Sequence, residues 1–397
     1  QMFIFGVQSG SSVLISQYWG RQDMESINRV MGVSMWVVLS VSALFAGVLL
    51  ACPEAFLSLF GNEQEVIALA AQYGSIAGLS YVCNAFTMMY VAAYRSMERP
   101  QLGMYILVAS MTLNTFLNWV FIFGKLGAPA LGVRGAALAT LIARMMEVVI
   151  VVVHMARSRF FRVRLRLLLR PGMDMFRRFL RYGSLVVFNE TTWGLGSSIF
   201  PTIMGHMAGS TEILAAYTVA GNIDKICMVV SFGLGSTAAI IIGREVGAGR
   251  PQQVRQTGAV MCTLALMCGT GIGLLLFLFA RLIAPAWVFP LFKMSARSAS
   301  IAVMMMTVQA AVRPLRDFNG VAITGVLRGG GDVRMATIID TAPQWLIAIP
   351  AAVLLGSVLK LDILWVYLSM TLENIVKFVL GLRRIRSDNW IRDLTRA

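Results

Sequence analysis

The chain has 397 residues, 57% of them hydrophobic and 13% charged, and its mean hydropathy is +0.73. A soluble domain contains about 45–50% apolar and about 25% charged residues, so this composition excludes an ordinary soluble protein and predicts a chain that lies in a lipid bilayer. The net charge of +15 would indicate a nucleic-acid partner in a soluble protein, but here the positions of the basic residues favour an orientation signal.

Long apolar segments separated by short polar ones predict eleven membrane-spanning helices, since about 20 apolar residues cross a bilayer as a helix. In chain order the predicted spans are 3–19, 31–52, 66–93, 102–124, 132–155, 183–208, 213–243, 257–280, 299–327, 335–357 and 361–382. They leave little of the chain for a soluble domain. The predicted fold class is therefore an all-α polytopic membrane protein.

The basic residues are concentrated in alternate loops, beginning with 20–30. The segment 157–181 alone contains nine arginines and one acid, and the intervening loops contain few basic residues. By the positive-inside rule the basic loops and the C-terminus are cytoplasmic. This predicts an integral protein of the plasma membrane with a cytoplasmic C-terminus and no nucleic-acid partner.

Two stretches of the chain recur about 230 residues later. Residues 5–23, FGVQSGSSVLISQYWGRQD, resemble 232–250, FGLGSTAAIIIGREVGAGR, and residues 93–100 resemble 326–333. Six spans separate the matching points, so both halves enter the membrane in the same direction. This predicts two six-helix bundles related by a pseudo-twofold axis along the membrane normal.

The repeat and the basic segment together predict three regions. They are an N-terminal bundle at 1–156, a basic cytoplasmic linker at 157–182 and a C-terminal bundle at 183–397. We expect the linker to lie on the inner membrane surface, with a regulatory or lipid-sensing role as the alternative. The odd number of spans predicts one further helix before Gln1.

Motifs of enzymes are absent from the sequence. GREVGAGR lacks the Lys-Ser/Thr of a phosphate loop, and neither HExxH nor GxSxG occurs. The five cysteines show no metal-ligand or CxxC spacing. These absences predict a protein that is not an enzyme and that needs neither a metal nor a cofactor.

Ionisable residues inside the apolar spans are the first candidates for function. Each such charge costs roughly 2.5–3.5 kcal/mol on insertion scales and is retained mainly where it faces a cavity or a partner. Glu190 lies in the span 183–208, and Asp317 lies in 299–327 beside Pro314, which we expect to break the helix. A carboxylate in apolar surroundings can exchange a proton or Na⁺, so we predict a coupling-ion site at Glu190 and Asp317. The alternative is that both acids are protonated and hydrogen-bond neighbouring helices.

Other polar residues in the spans are weaker candidates. Asn84 precedes Arg95 by the same number of positions as Asp317 precedes Arg328, so the two halves are predicted to differ in charge. The role of Asp224 is left open. The polar residues that we expect near a cavity are Asn84, Asn114, Asn118, Asn189, Asp224, Arg313, Arg316 and Asn319.

Two further acids have a basic residue at helical spacing. Glu147 follows Arg144 by three positions, and Glu373 precedes Lys377 by four. We interpret both as structural ion pairs.

Six stretches in order resemble the multidrug and toxic compound extrusion (MATE) transporters over essentially the whole chain. They are LISQYWGRQD (14–23), YRSMERP (94–100), LNTFLNWVFIFG (113–124), GLGSTAAIIIGREVGAGR (233–250), GVLRGGGD (325–332) and the tryptophan and proline of WLIAIP (345–350). The resemblance implies twelve helices in two bundles. It also implies export of cationic, amphipathic organic compounds in exchange for H⁺ or Na⁺.

The resemblance carries over to particular residues. The acid of the family's seventh helix matches Glu190, and the acid before its LRG motif matches Asp317. Asn114 fits the fifth-helix asparagine of some branches, but Asn118 stands where those branches have an acid. The resemblance therefore implies an ion site in the C-terminal bundle more strongly than in the N-terminal one.

Two arginines leave the class of substrate open. Arg313 and Arg316 lie close to Asp317 in sequence, and their charge offsets the negative field that attracts a cation. An exporter of organic anions, or a flippase of lipid-linked substrates with the same architecture, is the alternative, and a non-transport membrane scaffold ranks below both. As partners we expect a small organic substrate and membrane lipids around a monomer.

Overall fold

The computed structural model describes residues 2–58 and 63–396, and these residues are helical almost throughout. Each of the eleven predicted spans coincides with one long helix of this described part. Two short helices, α3 and α7, lie between them. The helices are α1 (Met2–Gly20), α2 (Met24–Ala51), α3 (Pro53–Leu57), α4 (Gln64–Ser96), α5 (Gln101–Phe123), α6 (Val133–Arg157), α7 (Leu165–Leu169), α8 (Met173–Gly205), α9 (Ser210–Gly247), α10 (Pro251–Leu291), α11 (Ala296–Leu327), α12 (Val333–Val358) and α13 (Ile363–Arg386).

Local sequence signals explain several helix ends. The Asp23 carboxylate accepts the Ser26 N–H at 3.0 Å and caps α2, and Asp362 caps α13 by accepting the Leu364 N–H at 3.0 Å. Gly124 follows the C-terminal end of α5 and has φ of 65°, a left-handed conformation that glycine adopts without steric cost.

Nine of these helices are long and apolar enough to cross a membrane, judged over the described residues. They are α2, α4, α5, α6 and α9 to α13. The helices α1 and α8 are rich in glycine, serine and other polar residues, which lowers their hydropathy. The predicted all-α polytopic fold class is confirmed, whereas the pseudo-twofold relation of two six-helix bundles stays a prediction.

The helix α8 begins ten residues before the predicted span at 183. Met175, Phe179 and Val186 are buried, and their spacing of four and seven positions places them on one face of a helix. The arginines of this stretch fall between them. The predicted linker 157–182 therefore contains α7 and the first turns of α8.

The chain separates into two compact units. The first contains residues 3–15 and 22–183, where α4 packs against α2 and α6, and α5 packs against α6. The second contains Met2, residues 16–21 and residues 184–397, where α11 packs against α9, α10 and α13.

Two glycines let α10 approach α11 closely. A Cβ atom at Gly269 would lie 2.9 Å from Pro314 Cα and 3.1 Å from Asp317 Cβ, and one at Gly273 would lie 2.6 Å from the Ala310 carbonyl oxygen. Small residues allow such contact between membrane helices. The glycine pair thereby fixes the stretch of α11 that carries Asp317.

The expectation that Pro314 breaks its helix is wrong. The α-helical part of α11 runs through Pro314 to Asn319, and a π-helical turn follows at Gly320–Leu327. Proline removes a single N–H donor, and the dense packing against α10 holds the helix in place. The irregularity of α11 therefore lies after Asp317.

The residues 387–396 fold back onto the second unit, and we term them the C-terminal strap. Trp390 is 1% exposed, its ring lies against Gly330, and its Nε1 donates to the Ile385 carbonyl at 3.0 Å. Gln17 of α1 accepts the Leu394 N–H at 2.9 Å and donates to the Gly329 and Arg392 carbonyls at 3.3 Å each. One amide side chain thus joins α1, the strap and the turn between α11 and α12.

Candidate functional site

Asp317 lies in a buried ion pair on α11. Arg313, one helical turn earlier, places its Nε 2.9 Å from Asp317 Oδ1, and its side chain has no exposed surface. The same guanidinium reaches α9, where its Nη1 lies 2.9 Å from Asp224 Oδ1. Arg313 therefore forms ion pairs with two carboxylates on two helices.

Two more side chains complete this group. Ser231 donates its hydroxyl to Asp317 Oδ1 at 2.5 Å and accepts from Arg313 Nη2 at 3.1 Å. Arg316 Nη1 lies 2.7 Å from Asp224 Oδ2. We name Asp224, Ser231, Arg313, Arg316 and Asp317 the α9–α11 cluster. With two carboxylates and two guanidinium groups, its formal charges balance.

Glu190 lies in a second ion pair, on a different arginine. Its Oε1 accepts from Arg328 Nη1 at 2.8 Å, and both side chains are largely buried. Arg328 follows Asp317 by eleven positions, about 16 Å along a helix, and stands directly after Leu327, the last residue of α11. The two acids predicted to form one ion site are thus paired with two arginines, one within α11 and one directly after its last residue.

A third group connects α8, α12 and α13. Asn189 donates to Asp340 Oδ2 at 2.9 Å and accepts from the Thr341 hydroxyl at 2.7 Å. Lys377 Nζ lies 3.1 Å from Asp340 Oδ1 and 3.5 Å from Glu373 Oε2. We name Asn189, Asp340, Thr341, Glu373 and Lys377 the α12–α13 cluster.

The three groups lie in the second unit and lie close to one another. Glu373 is near enough to Arg316 for electrostatic interaction, and Asp340 is near enough to Arg328. The clusters therefore form one polar region in the unit that contains residues 184–397.

The remaining predicted polar residues are asparagines, which carry no charge and form hydrogen bonds only. Asn319 donates to the Asn374 carbonyl at 2.8 Å and links α11 to α13. In the first unit Asn118 donates to Asn114 at 3.1 Å, and Asn114 donates to Thr140 at 3.4 Å. These three side chains form a neutral group between α5 and α6. Asn84 lies half-buried on α4.

The ion pairs predicted from helical spacing are present. Arg144 Nη1 lies 2.7 Å from Glu147 Oε1, and Lys377 is paired with Glu373. Lys377, however, also binds Asp340, which lies on another helix and was missed. An acid inside the apolar span 335–357 was the signal that could have identified it.

Two other partners were missed. In the sequence Arg328 belongs to a repeated motif, and in the structure it is the countercharge of Glu190. Ser231 carries no sequence signal, since a serine in a membrane helix commonly bonds its own backbone. Among the described residues, histidine, cysteine and acidic side chains form no group of three or more that would suit a metal ion.

A family model described as MatE matches residues 1–120 and 186–354. The chain belongs to the MatE family. The resemblance to MATE transporters drawn from the six sequence stretches is thereby confirmed. MATE proteins are membrane transporters and not enzymes, so this chain is an integral membrane protein of a transporter family whose curated members include multidrug resistance proteins.

Several curated proteins are similar along most of their length. A probable multidrug resistance protein NorM of Mesorhizobium japonicum is 27% identical over 365 residues, which cover 89% of this chain and 76% of that protein. An uncharacterized transporter, YisQ of Bacillus subtilis, is 25% identical over 395 residues, which cover 98% of this chain and 84% of that protein. A probable NorM protein of Thermotoga maritima is 22% identical over 397 residues, with 98% and 82% covered.

Solved structures share the MATE fold. A eukaryotic MATE transporter, AtDTX14, superposes with a TM-score of 0.83 at 18% identity. The superposition covers 100% of this chain and 86% of the AtDTX14 chain. A transporter of the MOP superfamily from Pyrococcus furiosus gives a TM-score of 0.84 at 20% identity, with 98% and 85% covered. That structure is described as having a binding pocket of reverse polarity that suggests a different function.

Proposed function

We propose that this MATE protein is a secondary active exporter of cationic, amphipathic organic compounds, working by alternating access in antiport with H⁺ or Na⁺. The observation that carries the proposal is the pair of acids, Glu190 and Asp317, each buried inside a helix and each held by an arginine. The names of the NorM relatives support multidrug efflux as the family activity.

The exchange at Asp317 follows from its partners. When a proton or Na⁺ binds the carboxylate, its attraction for Arg313 falls, and the guanidinium keeps Asp224 and Ser231 as partners. Loss of the ion restores the Arg313 bridge. The α9–α11 cluster thus offers two arrangements, one with Arg313 bridging the two acids and one with the ion on Asp317, and an ion that prefers one of them shifts the equilibrium between them.

The exchange at Glu190 acts on Arg328, directly after the last residue of α11. Ion binding there releases Arg328, which lies about three helical turns beyond Asp317. Both acids therefore exchange an arginine for an ion, one arginine within α11 and the other directly after it. A cationic substrate competes for the same carboxylates, and this competition couples its export to ion entry.

In this proposal the chain works as a monomer in the plasma membrane, with membrane lipids as its surroundings. The arginine-rich loops favour a cytoplasmic C-terminus. The coupling ion and a small organic substrate are sufficient, without a cofactor.

One observation favours a second candidate, the export of organic anions or of lipid-linked anionic substrates. The Arg316 side chain is 35% exposed, whereas its partner Asp224 is 10% exposed. A guanidinium that is more accessible than the acids beside it can bind a carboxylate or phosphate.

Dye transport in proteoliposomes tests the proposal. We expect ethidium to be moved by an imposed H⁺ or Na⁺ gradient, and we expect Asp317→Asn and Glu190→Gln to abolish that movement. Glu147→Gln, which removes a buried acid paired with Arg144 in the first unit, is the matched control and retains transport. Wild-type rates in both site variants would remove these acids from the mechanism.

The anionic candidate predicts a different result in the same vesicles. Carboxyfluorescein would be moved in place of ethidium, and Arg316→Gln would abolish its movement. Transport of ethidium alone contradicts the anionic candidate.

A further inference from the structure

The α12–α13 cluster carries more negative than positive charge. Lys377 is shared by two carboxylates, those of Asp340 and Glu373. By contrast, the α9–α11 cluster has two arginines for two acids, and Glu190 has Arg328. The unbalanced charge of the three groups therefore lies between α12 and α13.

The two acids of this cluster differ in their hydrogen-bond and ion-pair partners. Asp340 accepts the Asn189 amide at 2.9 Å and the Lys377 ammonium at 3.1 Å on separate oxygens. Glu373 Oε2 lies 3.5 Å from Lys377 and has no hydrogen-bond partner among the described residues. The charge that lacks compensation is thus that of Glu373.

Within the described part of the chain, the helices packed against α13 supply no spare cation to Glu373. The helix α13 packs against α11 and α12, and the charged groups with the largest effect on Glu373 are Lys377, Asp340 and Arg316. Lys377 is shared with Asp340, and Arg316 is bonded to Asp224 at 2.7 Å. An uncompensated carboxylate inside a membrane-spanning helix is unfavourable, so neutralisation of Glu373 relieves it.

We propose that Glu373 is an additional proton-exchange site, separate from Glu190 and Asp317. One proton from water adds to Oε2, the carboxylate becomes a neutral acid, and Lys377 is left paired with Asp340 alone. When the proton returns to water, Lys377 is again shared between the two acids. The role of this step in antiport rests on the proposed function, whereas protonation itself does not.

The geometry favours a proton over Na⁺ at this site. The Lys377 ammonium already lies within 3.5 Å of both carboxylates. A metal cation bound between them would lie beside this like charge, which is unfavourable in a medium of low dielectric constant. A proton forms a covalent bond to oxygen and needs no such space.

Infrared difference spectroscopy on the purified full chain, with a pH step and no substrate, tests the proposal. We expect Glu373→Gln to remove the C=O stretch of one protonated carboxylic acid and to lower proton uptake by about one per molecule. A spectrum and an uptake equal to those of the wild type would overturn the proposal. So would a band that responds to Na⁺ and not to pH.

Two further variants give shifts of opposite direction and serve if Glu373→Gln does not fold. Asp340→Asn leaves Lys377 to Glu373 alone, so protonation of Glu373 moves to lower pH. Lys377→Met removes the shared cation, so protonation moves to higher pH. If the cluster is only structural, the two variants are not expected to shift protonation in opposite directions. Shifts in the same direction contradict the proposal.

The matched control is Glu147→Gln, since Glu147 is also buried but has Arg144 to itself at 2.7 Å. We expect this variant to keep the carboxylic-acid band that Glu373→Gln removes. Ethidium transport reports on the proposed function separately. A Glu373 band without transport rejects antiport, and transport without the band rejects this site.

Discussion

Arg313 Nε lies 2.9 Å from Asp317 Oδ1, one turn apart on α11, and the two side chains are 0% and 2% exposed. The acid that the family resemblance marks as an ion ligand is thus occupied by a guanidinium from its own helix. Removing one member of a buried pair leaves the other charge uncompensated, and this is generally more costly than removing both.

The first prediction concerns this pair. Arg313→Gln leaves Asp317 and Asp224 short of a cation, so we expect it to lower the free energy of unfolding by about 3–5 kcal/mol. Adding Asp317→Asn restores the balance of charge and part of the stability. Thermal unfolding in detergent measures both. Additive losses in the double variant would show that the two residues are not coupled.

The second prediction concerns Asn189. Asn189→Ala removes the hydrogen bonds to Asp340 and Thr341, and leaving such groups without partners costs about 1–3 kcal/mol. We expect a lower thermal midpoint in detergent. Thr202→Ala on the same helix is the control, since the hydroxyl of Thr202 is exposed and bonds only its own helix backbone at Ser198. Equal losses in both variants would contradict a special role for the Asn189 contacts.

The third prediction uses two glycines of α10. Gly269→Ala places a methyl group against Pro314 and Asp317, so we expect a loss of about 1–3 kcal/mol from overpacking together with slower ethidium transport. Gly271→Ala is the matched control because nothing lies within 4 Å of its Cβ position. That substitution stabilises the helix slightly. If the two variants behave alike, the close contact does not position Asp317.

The fourth prediction concerns the C-terminal strap. Trp390 is 1% exposed, and truncation of a buried tryptophan costs about 3–5 kcal/mol, so Trp390→Ala should lower the thermal midpoint of the purified protein strongly. Trp287 is 77% exposed, and Trp287→Ala serves as the control. An unchanged midpoint for Trp390→Ala would mean that the strap does not contribute to stability.

Hydropathy was sufficient to predict the fold class and the positions of the long helices. Apolar runs separated by short loops leave few alternatives when each run must satisfy its own backbone hydrogen bonds. The start of α8 was missed because its first turns are rich in arginine, although Met175 and Phe179 are buried at helical spacing. Periodicity, and not mean hydropathy, carried the signal there.

The candidate site was only partly predictable. Glu190 and Asp317 stand out as acids in apolar spans, but their countercharges depend on which helices meet. Arg313 is adjacent in the helix and was noticed, whereas Arg328 is distant in sequence from Glu190. Asp340 and Lys377 come together only through the packing of α12 on α13. Sequence spacing reports pairs within a helix and contains no information on pairs between helices.

The bonds of Gln17 bear on the order in which the chain folds. Its side chain accepts the Leu394 N–H, so this contact joins residues that are 377 positions apart in the sequence. A contact between residues so far apart in sequence is slow to form, because the intervening chain has to be ordered first. The end of α1 therefore gains this partner later than contacts between neighbouring helices form, and the strap completes the second unit as a late step of folding.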